Sequence, residues 1–164
     1  MMNKALLAEL RQEAASTRKM LERVPFDQSD WKPHPKSMSL GKLACHVADL
    51  ANWLPLTLRT TELNFAGSDY VQLKASSREE LLSAYDGFLQ EARTALEKAT
   101  DEDLMQPWTL RSGEHILFTL PKAVVIRSMV FNHFIHHRGQ LSVYLRLLQV
   151  PVPGMYGPSA DDVE

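Results

Sequence analysis

Residues 132–148 read NHFIHHRGQLSVYLRLL and hold His133, His136 and His137, three of the chain's six histidines. The stretch decides the fold because its apolar positions recur at helical spacing. Ile126, Met129 and Val130 upstream, and Leu141, Tyr144 and Leu148 downstream, share a face with His133, His137 and Gln140. Pro121 stands where a helix can begin without needing its missing N–H. Pro151 and Pro153 end the pattern, and Gly139 is its only weak point. The pattern predicts one helix from Pro121 to Leu148, with His133 and His137 pointing inward one turn apart.

Working outward, residues 3–24 carry Leu6, Leu7, Leu10, Ala14 and Leu21 near the same period, and Pro25 stops that helix. A proline-rich loop follows. A second helix is predicted from Ser37 or Ser39, either able to cap it. It runs to about residue 60, with Leu43, His46, Leu50, Trp53 and Thr57 on one face and a kink at Pro55. ELNFAGSDYVQLKA (62–75) reads as a long connection crossing the end of a bundle. The third helix begins at SREE (77–80), where Ser77 and Glu80 have capping-box spacing, and ends near Ala99. WTL and ILFTL flank RSGEH (111–115), which predicts a β-hairpin turning at Gly113. The expected fold is all-α: one domain over residues 1–164, a four-helix bundle with a small β-hairpin before the last helix.

Composition narrows the function. The chain has 164 residues, 45% apolar and 23% charged, with a net charge of −2. A chain of this length buries about 70% of its unfolded surface and needs no metal merely to fold. No basic run supports nucleic-acid binding, and no apolar stretch supports a membrane span. The start of the chain lacks the apolar core of a signal peptide. The lone Cys45 is expected to be a small buried side chain in a protein of the reducing cytoplasm.

Two inward imidazoles four residues apart can reach one ion. A site needs at least one more ligand. His34 lies in a proline loop and His115 in the hairpin, whereas His46 sits on the core stripe of the second helix. Periodicity therefore nominates His46, His133 and His137. Three neutral nitrogens suit Zn²⁺, Ni²⁺ or Fe²⁺. The competing reading is three core histidines, each bonded to its own acceptor. His136 is turned away from the pair and reads as an outer or surface residue. Asp49 reads as a fourth ligand, an acceptor behind His46, or a surface charge. Gln140 reads as a partner of a bound water or as an amide at the bundle edge.

SMSLGKLACHVADLANW (37–53), LFTLPKAVVIRSMVFNHFIHHRGQLSVYLRLL (117–148) and VPVPGMYGPSADD (150–162) closely resemble the DinB family of small metal-binding helical proteins. This is not the DNA polymerase of the same name. The resemblance spans nearly the whole chain. It implies an up-down-down-up four-helix bundle, a homodimer, and a divalent metal held by one histidine of the second helix and two of the fourth. In this sequence those are His46, His133 and His137. It also implies an activity of the kind some relatives have: transfer to or from a low-molecular-weight thiol, or hydrolysis, with a small-molecule substrate. The alternatives are a non-enzymatic metal-binding stress-response protein and an interaction bundle with no metal. Tyr156 and Asp161 of the tail are candidates to fold over the metal cleft.

Overall fold

The computed structural model of the chain describes residues 1–67 and 70–162. Ser68 and Asp69, inside the long connection, and the last two residues of the tail lie outside that description. The first helix, α1 (Met2–Leu21), buries Leu6, Leu10, Ala14, Thr17 and Leu21 at helical spacing. After Pro25 the chain makes a 3₁₀ turn over Phe26–Gln28. Helix α2 (Leu40–Asp49) is capped by Ser39, whose Oγ accepts the Lys42 N–H at 3.3 Å.

The predicted second helix is in fact two. It loosens over residues 50–52 and resumes as α3 (Trp53–Arg59). Pro55 is the cause: it has no N–H to donate, and its ring would crowd the carbonyl of Ala51 in a continuous helix. The chain responds with tighter bonds, Trp53 N–H to Leu50 O at 3.3 Å and Leu54 N–H to Ala51 O at 3.4 Å. Pro55 then falls in the first turn of α3, where a missing donor costs nothing.

Strand β1 (Glu62–Asn64) follows, then α4 (Arg78–Lys98). Ser77 Oγ accepts the Glu80 N–H at 3.1 Å. The return bond of the capping box is displaced by one residue, since Glu80 Oε2 takes the Ser76 N–H at 2.8 Å. A short helix α5 (Asp101–Met105) occupies the acidic stretch after α4, to which the sequence pattern assigned no element. Its capping box is complete: Thr100 Oγ1 accepts the Asp103 N–H at 3.1 Å, and Asp103 Oδ2 accepts the Thr100 N–H at 2.9 Å.

Strands β2 (Pro107–Ser112) and β3 (His115–Pro121) form the expected antiparallel pair, with Gly113 in the turn at φ +60°. The hairpin is not alone, however. β1 pairs parallel with β2, giving a three-stranded sheet in the order β1-β2-β3. Trp108 and Leu110 of the central strand are buried, which ties the sheet to the helices.

The last helical segment also departs from prediction. Pro121 ends β3 and caps α6 (Lys122–Val125) from outside. A π-helical turn spans Ile126–Phe131, and α7 (Asn132–Leu147) continues from it. A π turn holds more residues than an α turn, so it rotates α6 relative to α7 about their common path. The buried face of α7 is therefore Phe134, Arg138, Leu141 and Leu145. His133 and His137 lie beside that stripe, half-buried, and not at its centre.

The structure is mostly helical with a small sheet. Helix α1 packs on α4 and α7, and α2 packs on the same two. Apolar side chains from all four fill the space between them. The one buried ion pair among the described residues joins α1 to α7: Arg138 Nη2 donates to Glu13 Oε2 at 2.7 Å. Beyond α7 the tail runs back over this pair, and Tyr156 Oη meets both Arg138, at 2.7 Å, and Glu13, at 2.9 Å. No described helix is long and apolar enough to cross a membrane.

Candidate metal centre

Helix α2 carries His46, and α7 carries His133 and His137. Packing of α2 on α7 brings the three rings together. The ring centroids of His46 stand 5.1 Å from His133 and 4.5 Å from His137, and those of His133 and His137 are 4.6 Å apart. One nitrogen from each lies within 4.8 Å of the other two. His34 and His115 are exposed and are not part of this group. His34 instead accepts the Lys36 N–H at 3.2 Å on its own loop.

Hydrogen bonds set the tautomers. His133 Nδ1 lies 3.3 Å from the Met129 carbonyl, which can only accept, so Nδ1 bears the proton. That carbonyl belongs to the π-helical turn immediately before α7. His137 Nδ1 donates to Gln140 Oε1 at 2.7 Å, and Gln140 Nε2 lies 3.1 Å from His136 Nε2. The amide thus bridges two rings, accepting from one and donating to the other. Both α7 histidines are left with a bare Nε2. His136 is exposed and acts through Gln140, which places it behind the cluster.

The rings are also held neutral. Burial pushes His46 down to about 4, aided by His137 and His133. Burial likewise lowers His133 and His137, against the opposing hydrogen bonds to Met129 and Gln140. Neutral imidazole is the form a metal requires.

The donor set fits a divalent ion better than it fits a hydrogen-bonded core. His46 Nε2 and His133 Nε2 are 3.4 Å apart, long for a hydrogen bond between nitrogens. Two imidazole nitrogens bound tetrahedrally at zinc–nitrogen distances stand about 3.3 Å apart.

Asp49 is no surface charge. It is 3% exposed and accepts a short hydrogen bond from Tyr70 Oη, which itself receives the Trp53 Nε1–H at 2.8 Å. Its other oxygen, Oδ1, is closed off from solvent. Burial raises the Asp49 carboxyl above its ordinary range, despite the Tyr70 bond and the nearby Leu73 N–H and Asn52 side chain. The structure does not bring Asp49 into the group of candidate ligand atoms. Cys45 is buried and unbridged, as its isolation suggested, and burial raises its thiol.

A cleft of about 640 Å³ runs along α2 beside the cluster. His46, Asp49, Cys45 and Lys42 line it from the helix, and residues 72–75 from the connection. Tyr156 and Asp161 do not line it. They bind Arg138 and Arg146 instead. Lys42 has no chemical signature in the sequence, although its place one turn before His46 puts it on the same side of α2. Tyr70 lies in a segment with no periodicity, so spacing gives it no address.

Three imidazoles delivered by two packed helices form a group that could hold a metal ion. The chain belongs to the DinB family: the family model matches residues 1–164, and it is not that of the DNA polymerase. Among curated proteins it resembles the uncharacterized protein YrdA of Bacillus subtilis strain 168, 23% identical over 92% of this chain and 85% of that protein. Among solved structures it resembles a DinB-like protein from Bacillus cereus ATCC 10987, with a TM-score of 0.70, 25% identity, and coverage of 93% of this chain and 97% of the other. A DinB-like protein of Bacillus subtilis, YjoA, shares the fold with a TM-score of 0.71 at 18% identity, over 92% of this chain and 97% of that one.

Proposed function

We propose that His46, His133 and His137 hold a divalent metal, Zn²⁺, Ni²⁺ or Fe²⁺, and that the protein is a metal-dependent transferase or hydrolase acting on a small molecule. The observation that carries this reading is the convergence of one nitrogen from each ring within 4.8 Å. A bound ion would supply Lewis acidity, lowering the pKa of a coordinated water or of a low-molecular-weight thiol cosubstrate. The chain's own residues do the rest. Met129 and Gln140 fix two of the rings, burial keeps all three unprotonated, and the cleft along α2 receives the substrate next to His46.

The helical arrangement fits the up-down-down-up four-helix bundle of this reading, with α1, α2, α4 and α7 as its members. So does a homodimer. Val143 and Leu147, one turn apart on α7, are 56% and 55% exposed and offer an apolar face to a second copy. The single cysteine fits a cytoplasmic setting.

The test is elemental analysis of the purified protein after loading, followed by a turnover screen with thiols and electrophiles. The wild type is expected to hold one ion per chain and His137→Ala to lose it. Stoichiometric metal without turnover, together with a melting point that drops on chelation, would point to the non-enzymatic stress-response role. Absence of metal after loading would leave an interaction bundle.

A further inference from the structure

The cleft beside the histidines is walled by α2 and by residues 72–75 of the connection, and the two walls are built differently. Helix α2 is held by its own backbone bonds. Residues 70–75 take no regular secondary structure, and no backbone–backbone hydrogen bond reaches them among the described residues. Side chains tie the segment down instead. Tyr70 Oη donates a short hydrogen bond to Asp49 Oδ2 and receives the Trp53 Nε1–H at 2.8 Å. The Leu73 N–H also meets the Asp49 carboxyl, and the Ala75 N–H meets the Cys45 sulfur. Cys45 and Asp49 stand one turn apart on α2, on the stripe next to His46. Tyr70, Leu73 and Ala75 pack on the core, whereas Val71 is 80% exposed.

We propose that residues 70–75 form a detachable strap, latched to α2 by Asp49, whose release opens the cleft beside His46. Asp49 is then a positioning residue: it gathers the Tyr70 hydroxyl and the Leu73 amide, so losing one tie loosens the segment as a unit. A segment with few backbone bonds and little buried apolar surface opens more readily than the fold as a whole. Release also returns water to a carboxylate that is only 3% exposed when latched, which offsets part of the lost bonding. It uncovers Cys45 as well, the chain's one thiol and a residue lining the same cleft. The opening does not depend on what the histidines hold; only its use in admitting a substrate rests on the proposed function.

The test is amide hydrogen exchange by NMR on the metal-free full chain, with labelling of Cys45 by an aromatic disulfide reagent alongside. Leu73 and Ala75 are expected to exchange about a hundredfold faster than the buried Val47 and Ala48 of α2, at rates that low urea leaves unchanged. Tyr70→Phe keeps the ring against Trp53 and removes only the donor to Asp49. It should speed both strap amides by the same factor, about tenfold, as the loss of one hydrogen bond to a charged acceptor predicts. Cys45 labelling should rise with them, while Val47 and Ala48 do not change. Val71→Ala, on the outward side of the strap, should alter none of these rates. Three results would overturn the proposal: strap amides that exchange in step with α2, strap amides that respond unequally to Tyr70→Phe, or a labelling rate that stays constant while they accelerate. The first is read on the wild type, so a variant that fails to fold does not rescue the idea. Metal content is measured separately, and a chain that binds its ion without strap opening loses this inference and keeps its metal.

Discussion

Gln140 stands one turn beyond His137 on α7 and accepts its Nδ1 proton at 2.7 Å while its amide nitrogen faces His136 at 3.1 Å. One side chain therefore decides which nitrogen of His137 is free. Groups that orient metal-binding imidazoles in this way are worth about tenfold to a hundredfold in affinity. Gln140→Leu should weaken metal binding by that amount in a chelator competition. Because Gln140 is exposed, the melting point of the metal-free protein should barely move. Gln140→Glu keeps an acceptor and should retain most of the affinity. An unchanged affinity in Gln140→Leu would mean that His137 is positioned by packing alone.

The histidine cluster is legible in the sequence because its information is local. Two histidines one turn apart and a third on another helical stripe are visible in spacing alone. So are Gly113 in its turn and the Ser77 cap. The features that spacing misses depend on contacts distant in sequence or on a broken period. Asp49 is buried against Tyr70, which Trp53 in turn holds through its Nε1–H, and no pattern near residue 49 announces Tyr70. β1 exists because Glu62 pairs with Thr109 across the fold; three residues alone carry no strand signal. The π-helical turn is invisible to any reading that assumes 3.6 residues per turn. It is why the α7 histidines flank the core stripe, although periodicity puts them within it. Pro55 signals a kink, but its effect goes further: the helix restarts around it.

Arg138 is a charge in the core, 2% exposed, and it binds Glu13 Oε2, the Glu13 carbonyl, Thr17 and Tyr156. Removing one member of such a pair strands the other, at a cost of about 3–5 kcal/mol. Arg138→Met should lose about that much stability in urea titration. The double variant Glu13→Leu/Arg138→Met removes both charges and should recover much of the loss. Tyr156→Phe deletes only a hydroxyl that is shared by both partners and should cost about 1 kcal/mol. If the double variant is no better than the single one, the loss comes from packing and not from an unpaired charge.

Gly154 shows how closely the tail folds on itself. A Cβ built there would overlap the Gly157 carbonyl and lie 2.5 Å from Asp162 Oδ2, with Pro158 Cα at 3.1 Å. Two of these neighbours are backbone and cannot swing aside. Gly154→Ala should open the tail at a local cost of about 1–3 kcal/mol. Limited proteolysis should then cut beyond residue 150 faster than in the wild type, while α7 stays intact. Gly157, which has nothing within 4 Å of the same position, should accept alanine without change.

The tail should also respond to acid. Asp161 is held below its ordinary value of 3.8 by Arg146 and the Val152 N–H, and Asp162 by the N–H groups of Ser159 and Gly154. A carboxylate whose pKa is lower when folded binds fewer protons than when unfolded. Its contribution is therefore complete above the unfolded value and fades as pH falls through the folded one. Tail docking should be constant from neutral pH down to about 4 and weaken below it. Amide exchange at Val152 and Gly154, whose N–H groups those carboxylates accept, reports the change directly. Asp161→Asn together with Asp162→Asn should give fast exchange at these two amides at neutral pH and flatten the acid response. Retention of the acid response in that double variant would assign it to other carboxylates.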